Sequence, residues 1–440
     1  MADHYCDRRR ADIAVARRSV HASARARGDD TRLARHRRIP YARSLAWALV
    51  LAASACAPAV KPVELAPAAM PPMDSLELSL FLIGDAGSKA YEHEPVLAEL
   101  ARQADSFRTV QQFVVFLGDN VYPRGVPPVG HPGRADAERK ATALVQAIRN
   151  GAGRGLLVPG NHDWDRQGKD GWNAIRRQDS LVRDLGGGEV RLLPHGGCPG
   201  PEVIDVGQHI RLIALDSEWW LQNDIKPYGP TSPCPTRTEQ EVADSLLGAL
   251  RDRGDRQAIV LDHHPLRSGG EHGGSFTLAD HIFPLRNIKS WLWVPLPIIG
   301  SIYPLARQHG ISNQDISGGK YKRMVRAFEA VFARYPPLAM ASGHDHDLQV
   351  IQGGRADITH AGYQLVSGAG IVGHTGLVRR VNGSLFERNA AGFMRLDITH
   401  EGRVRLSVTT VYPDGKRPAG ERAEAFSLWL SSAPSAAGTR

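Results

Sequence analysis

Short apolar runs alternate with amphipathic stretches between residues 76 and 262. Continuous apolar runs are typical of buried parallel strands, and such strands separated by helical patterns form βαβ units. The apolar runs predict strands at 78–83, 113–117, 155–158, 210–215 and 257–261. Helical patterns connect them near 93–104, 136–150 and 238–252. The pattern therefore predicts an α/β fold with a largely parallel sheet.

The pattern changes in the last part of the chain. Alternating runs that end at Gly or Asn are typical of antiparallel strands. They lie near 348–351, 363–367, 392–398 and 403–411. We interpret these strands as the second half of a sandwich rather than as a separate domain. Residues 76–415 then form one domain, and residues 416–440 form a C-terminal tail.

An apolar insertion, residues 281–320, interrupts this organisation. Its segment 291–299 is aromatic and apolar, and two prolines exclude both a helix and a central strand there. Two interpretations stay open: a packed loop, and an insertion that covers a functional crevice or touches a membrane. The loops 123–135 and 166–175 are also expected to shape access to that crevice.

The positive charge is concentrated at the N-terminus. Of the formal net charge of +8, residues 1–43 account for +7 through twelve Arg and five Asp, so the other residues carry about +1. A nearly neutral body offers no basic groove for a polyanion. The sequence therefore predicts no nucleic-acid partner.

The start of the chain is typical of a secretory leader. Residues 44–56 form a thirteen-residue apolar run, too short to span a bilayer but suited to the core of a signal peptide. Small residues before Cys56 resemble a bacterial lipoprotein signal, in which this Cys becomes the lipidated first residue. We assign residues 1–56 to the leader and the Ala- and Pro-rich residues 57–75 to a linker.

We expect an exported, periplasmic protein that is anchored to the membrane through lipidated Cys56. Plain secretion and a cytoplasmic location are the alternatives. An exported compartment permits a disulfide between Cys198 and Cys234, and the sequence leaves open whether it forms. The oligomeric state is also left open.

Five motifs with acids or histidines each follow an apolar run. They are Gly84-Asp85-Ala86-Gly87, Gly118-Asp119-Asn120-Val121-Tyr122, Gly160-Asn161-His162-Asp163, Asp262-His263-His264-Pro265 and Gly343-His344-Asp345-His346. Open α/β sheets bind ligands at the carboxyl ends of their strands, so these side chains are expected to converge. Carboxylate, amide, imidazole and phenolate groups suit Fe, Zn and Mn, and they are more numerous than one ion needs. The motifs therefore predict a site for two metal ions.

The motif order resembles the binuclear metallophosphoesterases, and within them the short, tartrate-resistant branch of the purple acid phosphatases. Tyr122 follows Asp119 by three residues, and Glu271-His272-Gly273 places His272 nine residues after His263, as in that branch. The resemblance extends over about residues 76–411. It implies a four-layer α/β/β/α metallophosphoesterase sandwich with the ligands at the carboxyl ends of the strands.

By position, the resemblance implies two neighbouring metal sites. The residues implied for the first ion, Fe(III) in that family, are Asp85, Asp119, Tyr122 and His346. The residues implied for a second, divalent ion (Fe, Zn or Mn) are Asn161, His263 and His344, with Asp119 shared. His162 and His272 would lie outside both metal shells, where they would orient phosphate oxygens and help protonate the leaving group.

Four neighbouring polar residues are given structural roles. Asp163 is expected to cap and support its loop. His264 and Asp345 are expected to face away from the ligands in the extended chain. Asp216, which ends another apolar run, is interpreted as a turn residue.

The activity that the resemblance implies is hydrolysis of phosphate monoesters. A metal-bound hydroxide would attack phosphorus in line, because a metal ion lowers the pKa of bound water from 15.7 to about 7. The expected partner is a phosphorylated small molecule. A phosphodiesterase or nucleotidase on the same scaffold is one alternative, and a non-catalytic, lipid-anchored binding protein is a more distant one.

Overall fold

Two β-sheets form the centre of the described part of the protein. The computed structural model describes residues 63–87, 94–287, 291–413, 422 and 424–431. The predicted leader, with Cys56, lies outside the described residues. In the described ranges, no helix combines the length and the apolar character needed to cross a bilayer.

The strands and helices alternate through most of the chain. The strands are β1 (Leu76–Ile83), β2 (Gln111–Leu117), β3 (Gly155–Val158), β4 (Val190–Leu192), β5 (Glu202–Val206), β6 (Ile210–Ala214), β7 (Gln257–Leu261), β8 (Ala339–Ser342), β9 (Leu348–Gln352), β10 (Tyr363–Ser367), β11 (Ser384–Arg388), β12 (Ala391–Thr399), β13 (Val404–Val411) and β14 (Glu424–Ser431). The α-helices are α1 (Pro95–Ser106), α2 (Arg134–Asn150), α3 (Gly171–Gly186), α4 (Ser217–Leu221), α5 (Glu239–Arg251), α6 (Leu278–Ile282), α7 (Ile302–Gln308) and α8 (Gly319–Phe332). The five strands and three helices predicted before residue 262 are confirmed.

Each sheet has seven strands. The first has the order β14-β13-β12-β1-β2-β3-β4, and the second has the order β11-β9-β10-β8-β7-β6-β5. Strands β1 to β4 run parallel to one another, and so do β6, β7, β8 and β10. The carboxyl ends of the parallel strands in each sheet therefore lie at one edge of that sheet.

Alternating residues of β1 pack on opposite sides of the first sheet. Leu80 and Leu82 belong to the core between the two sheets, whereas Phe81 and Ile83 belong to the core between sheet and helices. All four are fully buried, and each such side chain stabilises the fold by about 1.5–3 kcal/mol. The predicted α/β/β/α sandwich is confirmed.

The strands after residue 347 do not form a half of their own. Strands β9, β10 and β11 join the second sheet, whereas β12, β13 and β14 join the first. Strand β12 pairs antiparallel with β1, with Leu80 opposite Leu396. Val350 and Leu396 lie in the core between the sheets, whereas Phe393 lies in the core on the helix side of the first sheet. These strands therefore complete both sheets of the sandwich instead of forming one second half of it.

Part of the predicted C-terminal tail belongs to the domain. Residues 424–431 form β14, which pairs antiparallel with β13. Phe426 and Leu428 pack against the core between the sheets. The linker also packs here, because Arg405 Nη2 donates to Ala68 O at 2.8 Å and Ala68 N donates to Ser427 O at 3.4 Å.

Two further features bear on the sequence analysis. Helix α3 begins at Gly171, inside the segment 166–175 expected as a loop, and buries Ile175 and Val182 on one face. Cys198 and Cys234 form a disulfide across 36 residues of sequence. A cross-link over a loop of this length stabilises the fold by about 4 kcal/mol in the chain-entropy picture.

Candidate metal centre

Five loops bring all nine predicted site residues together. Each loop follows the carboxyl end of a parallel strand, namely β1, β2, β3, β7 and β8. The nine residues are Asp85, Asp119, Tyr122, Asn161, His162, His263, His272, His344 and His346. Hydrogen bonds and ring contacts join them into one cluster.

Three of these residues have a left-handed backbone. Asp85, Asp119 and His344 have φ angles of 58°, 53° and 70°, a conformation that costs a residue with a side chain about 1–2 kcal/mol. Loop contacts maintain it. Asp85 N donates to Gly118 O at 3.0 Å, and His344 N donates to Asp85 Oδ2 at 2.9 Å. Backbone strain of this kind gathers at functional sites.

Asn161, His263 and His344 form one half of the cluster. Asn161 Oδ1 lies 3.0 Å from His263 Nε2 and 3.2 Å from His344 Nδ1. The other nitrogen of each ring donates to a carbonyl, His263 Nδ1 to Leu117 O and His344 Nε2 to Gln314 O, both at 2.8 Å. Because a carbonyl only accepts, each of these rings presents a lone pair to Asn161 whenever it carries a single proton. The two lone pairs and the Asn161 oxygen then face one another, and only a proton or a metal ion between them makes this arrangement favourable. The three residues therefore fit a metal ion.

Asp85, Tyr122 and His346 form the other half. The Tyr122 hydroxyl donates to Asp85 Oδ1 at 3.1 Å and lies 3.2 Å from His346 Nε2. His346 Nε2 lies 3.3 Å from Asp85 Oδ1. Burial, together with the carboxylates of Asp119 and Asp85, raises the pKa of Tyr122 well above its usual value. The phenol therefore keeps its proton unless a strong cation replaces that proton.

Asp119 lies between the two halves. Its Oδ1 is 3.5 Å from His263 Nε2, and its carboxylate contacts Tyr122. Burial would raise the pKa of Asp119, but His263 and His162 outweigh burial and lower this pKa to about 2. Burial would likewise lower the pKa of His263, but Asp119 and Asp85 raise it to about 9. Asp85, Asp119 and His263 each offer a ligand atom, and these atoms lie within 4.8 Å of one another.

His162 borders the cluster on one side. Its Nδ1 donates to Pro123 O at 2.7 Å, and its ring packs on Tyr122 with the centroids 4.1 Å apart. Burial lowers the pKa of His162 more than the nearby Asp119 raises it. Its Nε2 lies 3.9 Å from Asp119 Oδ2, so this nitrogen is placed to contact a ligand bound at the cluster.

His272 borders the cluster on another side, with its ring centroid 3.9 Å from that of His344. His272 Nδ1 lies 2.9 Å from Asp315 Oδ1. Arg307 donates to the same carboxylate through Nε at 2.9 Å and Nη2 at 2.5 Å, and it also pairs with Glu271. Burial would raise the pKa of Asp315, but Arg307 and His272 lower it. The ionised carboxylate therefore orients His272 and leaves Nε2 free.

Asp163 supports two of the ligand loops from behind. Its carboxylate accepts from Gly160 N at 2.8 Å, and from Asn120 N and Val121 N at 3.0 Å. Burial and Asp119 raise the pKa of Asp163 to about 6. Asn120 Nδ2 also donates to Asp163 Oδ2 at 2.9 Å, so Asp163 binds the groups of the neighbouring loops, as its predicted supporting role requires.

His264 and Asp345 also bind supporting groups. His264 Nδ1 lies 2.7 Å from Ser217 Oγ, and its Nε2 lies 2.9 Å from Gln314 Oε1. Asp345 Oδ1 accepts from His272 N at 2.9 Å. Both nitrogens of His264 have partners, but the expectation that His264 faces away from the ligands is wrong, because one of its nitrogens lies within 4.8 Å of ligand atoms of His263 and His344.

A cavity of about 400 Å³ opens onto the cluster. The apolar insertion supplies much of its lining, namely Tyr303, Arg307, Ile311, Ser312 and Gln314. Gln314 further holds the insertion in place, because its Nε2 donates to Glu218 Oε2 at 2.8 Å. This part of the insertion therefore lines the crevice, as the second interpretation expects. A larger depression, of about 660 Å³, lies around Arg253 at the amino end of β7, away from the cluster.

A strained turn places the guanidinium of Arg166 at this cavity. Asp165, Arg166 and Gln167 have φ angles of 55°, 50° and 63°. Side-chain contacts hold the turn, since Arg124 Nη1 donates to Asp165 Oδ1 at 3.0 Å and Gln167 Nε2 donates to Leu221 O at 3.2 Å. Arg166 lines the cavity, and within the described ranges no hydrogen bond or ion pair engages its guanidinium. Sequence reasoning missed Arg166, because no pattern marks a left-handed run without glycine.

His374 is a second site residue without a sequence signal. Its ring lies 4.0 Å from that of His346 and 5.5 Å from that of Tyr122, between centroids. Burial and His346 lower the pKa of His374 to about 4. The neutral ring therefore packs behind two candidate ligands.

Two facing sheets with carboxylate, amide, phenol and imidazole groups at their strand ends define a metallophosphoesterase sandwich. The family model described as calcineurin-like phosphoesterase matches residues 78–293. The match includes seven of the nine predicted site residues and ends before His344 and His346. No curated protein sequence matches the chain.

Solved structures from other organisms are also similar. GAP50, the anchor in the inner membrane complex of Plasmodium, has 16% identity and a TM-score of 0.47, over 81% of this chain and 89% of that chain. Purple acid phosphatase PPD1 from yellow lupin (Lupinus luteus) seeds has 13% identity and a TM-score of 0.46, over 81% of this chain and 55% of that chain.

Proposed function

We propose that the protein hydrolyses phosphate monoesters with the help of two metal ions. The observation that carries the proposal is the position of Asp119 between two separate groups of ligand-type side chains. One carboxylate that contacts both groups could serve two neighbouring ions, which together would stabilise an in-line displacement at phosphorus. The calcineurin-like domain match supports phosphoester hydrolysis as the reaction class.

Seven side chains would hold the ions. Those for the first ion are Asp85, Asp119, Tyr122 and His346, and those for the second are Asp119, Asn161, His263 and His344. When bound, the ions would polarise the phosphoryl group and make water a nucleophile near neutral pH. Fe(III) is proposed for the first position, because the buried Tyr122 phenol gives up its proton only to a strongly acidic cation.

The other residues would position the substrate. Arg166 offers an unpaired guanidinium at the cavity, which suits a phosphate oxygen. His162 and His272 border the cluster from two sides. Asp315 holds His272 so that its free nitrogen can carry a proton to the leaving alkoxide. The oxygen of water ends on phosphorus, the ester P–O bond breaks, and the alcohol leaves with the proton.

Metal analysis and turnover of p-nitrophenyl phosphate together test this function. Protein purified without added metal is expected to hold about two ions with iron among them, and Asp119→Ala is expected to lose metal and at least about 10³-fold in kcat/KM. Asp244→Ala, at an exposed position of α5, is the control and should keep both. Full turnover in Asp119→Ala would refute the assignment of Asp119 as a ligand of both metal ions. Faster turnover of bis(p-nitrophenyl) phosphate than of the monoester would instead favour a phosphodiesterase.

We also propose that the protein is exported and lipidated at Cys56. The disulfide between Cys198 and Cys234 supports an oxidising compartment. The mass of the mature N-terminus tests this proposal. A diacylglyceryl Cys56 as first residue is the expected result, and a retained Met1 would contradict it.

A further inference from the structure

Exposed apolar side chains of the insertion, two of which also line the cavity, form what we call the apolar rim. The rim consists of exposed side chains of the insertion, namely Trp291, Trp293, Val294, Ile298, Ile299, Ile302, Tyr303, Leu305 and Ile311. Soluble proteins rarely leave large apolar patches exposed, so nine exposed apolar side chains within residues 291–311 indicate a binding surface.

The composition of the rim indicates what covers it. Residues 291–306 contain no Asp, Glu, Lys or Arg over sixteen positions, so no charged group of this segment loses its hydration on contact with hydrocarbon. Trp and Tyr side chains are favoured at the boundary between lipid headgroups and acyl chains. A protein interface of similar size would instead be expected to offer polar groups for about one hydrogen bond per 100–200 Å².

The rim and the cavity share residues. Tyr303 and Ile311 are exposed rim residues and also line the cavity. Arg307 contacts both the rim and the polar interior of the cavity. Its Nη1 donates to the Tyr303 hydroxyl at 3.4 Å, and its Nε donates to Asp315 at 2.9 Å. From the outside inward, the surface therefore changes from apolar side chains to ion-paired groups and then to the metal-ligand cluster.

This order of surfaces, from apolar to charged, suits an amphiphile with an apolar chain and a charged end. A long alkyl chain would remain against the rim, and a terminal phosphate would reach the cluster beside Arg166. We propose that the apolar rim docks on the surface of a lipid bilayer and that the substrate of this site is a long-chain phosphate monoester taken from that bilayer. The inference deepens the proposed function and rests on it, because the phosphate is hydrolysed at the same cluster.

The test compares two double variants with the wild-type protein. Trp291→Ser with Ile298→Asn changes rim residues that are 69% and 87% exposed and do not line the cavity. Ile298 has a φ of 72° and a ψ of −60°, which do not suit a branched side chain, so Asn, which is unbranched at Cβ, is chosen there. Val129→Asn with Ile225→Ser is the matched control, since these residues are 89% and 69% exposed and lie outside the rim.

Two substrates and one binding assay provide the readout. All proteins carry Cys56→Ala, so that no lipid anchor contributes to binding. Wild-type protein and control are then expected to sediment with phosphatidylcholine vesicles that contain phosphatidic acid, and to hydrolyse this lipid. The rim variant should lose about tenfold or more in vesicle binding and in lipid turnover, because two exposed apolar side chains no longer enter the bilayer. Its turnover of p-nitrophenyl phosphate should stay within about twofold of wild type, since no metal ligand changes.

Several outcomes would overturn the inference. Equal turnover of short-chain and long-chain alkyl phosphates, with no vesicle binding by the wild type, would refute it while leaving monoester hydrolysis in place. A dimer that the rim variant dissociates, with unchanged vesicle binding, would assign the rim to a second copy of the chain. Failure of metal-loaded wild type to hydrolyse any monoester would refute the proposed function, and this inference with it.

Discussion

Gly118 lies directly against the imidazole of His263. A Cβ at this position would collide with the ring, on the side of the Nδ1 atom that donates to Leu117 O at 2.8 Å. That hydrogen bond fixes the orientation of the ring, in which Nε2 faces Asn161. A glycine in the second motif therefore controls the orientation of a candidate ligand in the fourth.

Gly118→Ala is expected to displace His263 and to lower metal affinity and kcat about 10–100-fold, as the loss of a supporting contact does at metal sites. Gly130→Ala is the matched control. The φ angles of the two glycines are 90° and 85°, but a Cβ at Gly130 meets nothing within 4 Å. Both variants should lose about 1–2 kcal/mol of stability from the backbone angle. Equal metal content in the two variants would contradict the role of Gly118.

Tyr122→Phe is expected to remove the visible charge-transfer absorption of iron-loaded protein and leave the fold intact. The phenol oxygen is the group that contacts Asp85 and His346, at 3.1 and 3.2 Å. The visible spectrum measures the effect. Tyr303→Phe is the control, because Tyr303 lines the cavity without contacting the cluster ligands, and it should keep the colour. An unchanged spectrum in Tyr122→Phe would show that Tyr122 is not a ligand.

Asp315→Asn is expected to lower kcat about 10–100-fold with little change in KM or metal content. The reason is that Asp315 orients His272 through a 2.9 Å hydrogen bond but touches no candidate ligand. Steady-state kinetics measure kcat and KM, and metal analysis shows whether the variant still holds its metal ions. Asp244→Asn serves as an exposed control. Loss of metal together with activity would place Asp315 in the structure of the metal site rather than in the positioning of His272.

Asp216 is expected to make the stability of the metal-free protein depend on pH. It accepts from Trp219 N and Trp164 Nε1, at 3.1 and 2.8 Å, and its burial raises its pKa from 3.8 to about 7. Because the folded pKa lies above the unfolded value, the stabilisation is complete below about pH 4 and is lost as the pH rises through about 7.

The melting temperature measured from pH 4 to pH 7 in the presence of a chelator tests this. Asp216→Asn should show a smaller decrease over that range than wild type, since the amide does not ionise. Asp262, with its pKa raised by burial to about 6, continues to contribute in both proteins. The exposed control Asp244→Asn should follow the wild-type curve. An identical slope in Asp216→Asn would contradict the assignment to Asp216, whose predicted turn role matches its capping of α4.

Several helices and strands could have been read from the sequence but were not. Helix α8 buries Tyr321, Met324 and Phe328 at helical spacing, which is a periodic signal. Strand β14 was less readable, because its edge position leaves most of its residues only partly buried. The pairing of β12 with β1 joins positions more than 300 residues apart, and local patterns carry no information on such partners.

The sequence by itself determined the chemistry of the site and the layers of the fold. Apolar runs that end in Gly-Asp, Gly-Asn-His or Gly-His-Asp-His specify buried parallel strands with polar groups at their carboxyl ends, and both properties are local. Only the tertiary structure decided which ring nitrogens face the ligands, that Arg166 enters the cavity, and that the insertion both covers the cluster and presents an apolar rim. These features depend on contacts between distant segments and on strained backbone angles that neighbouring loops maintain, so they follow from packing rather than from any short stretch of residues.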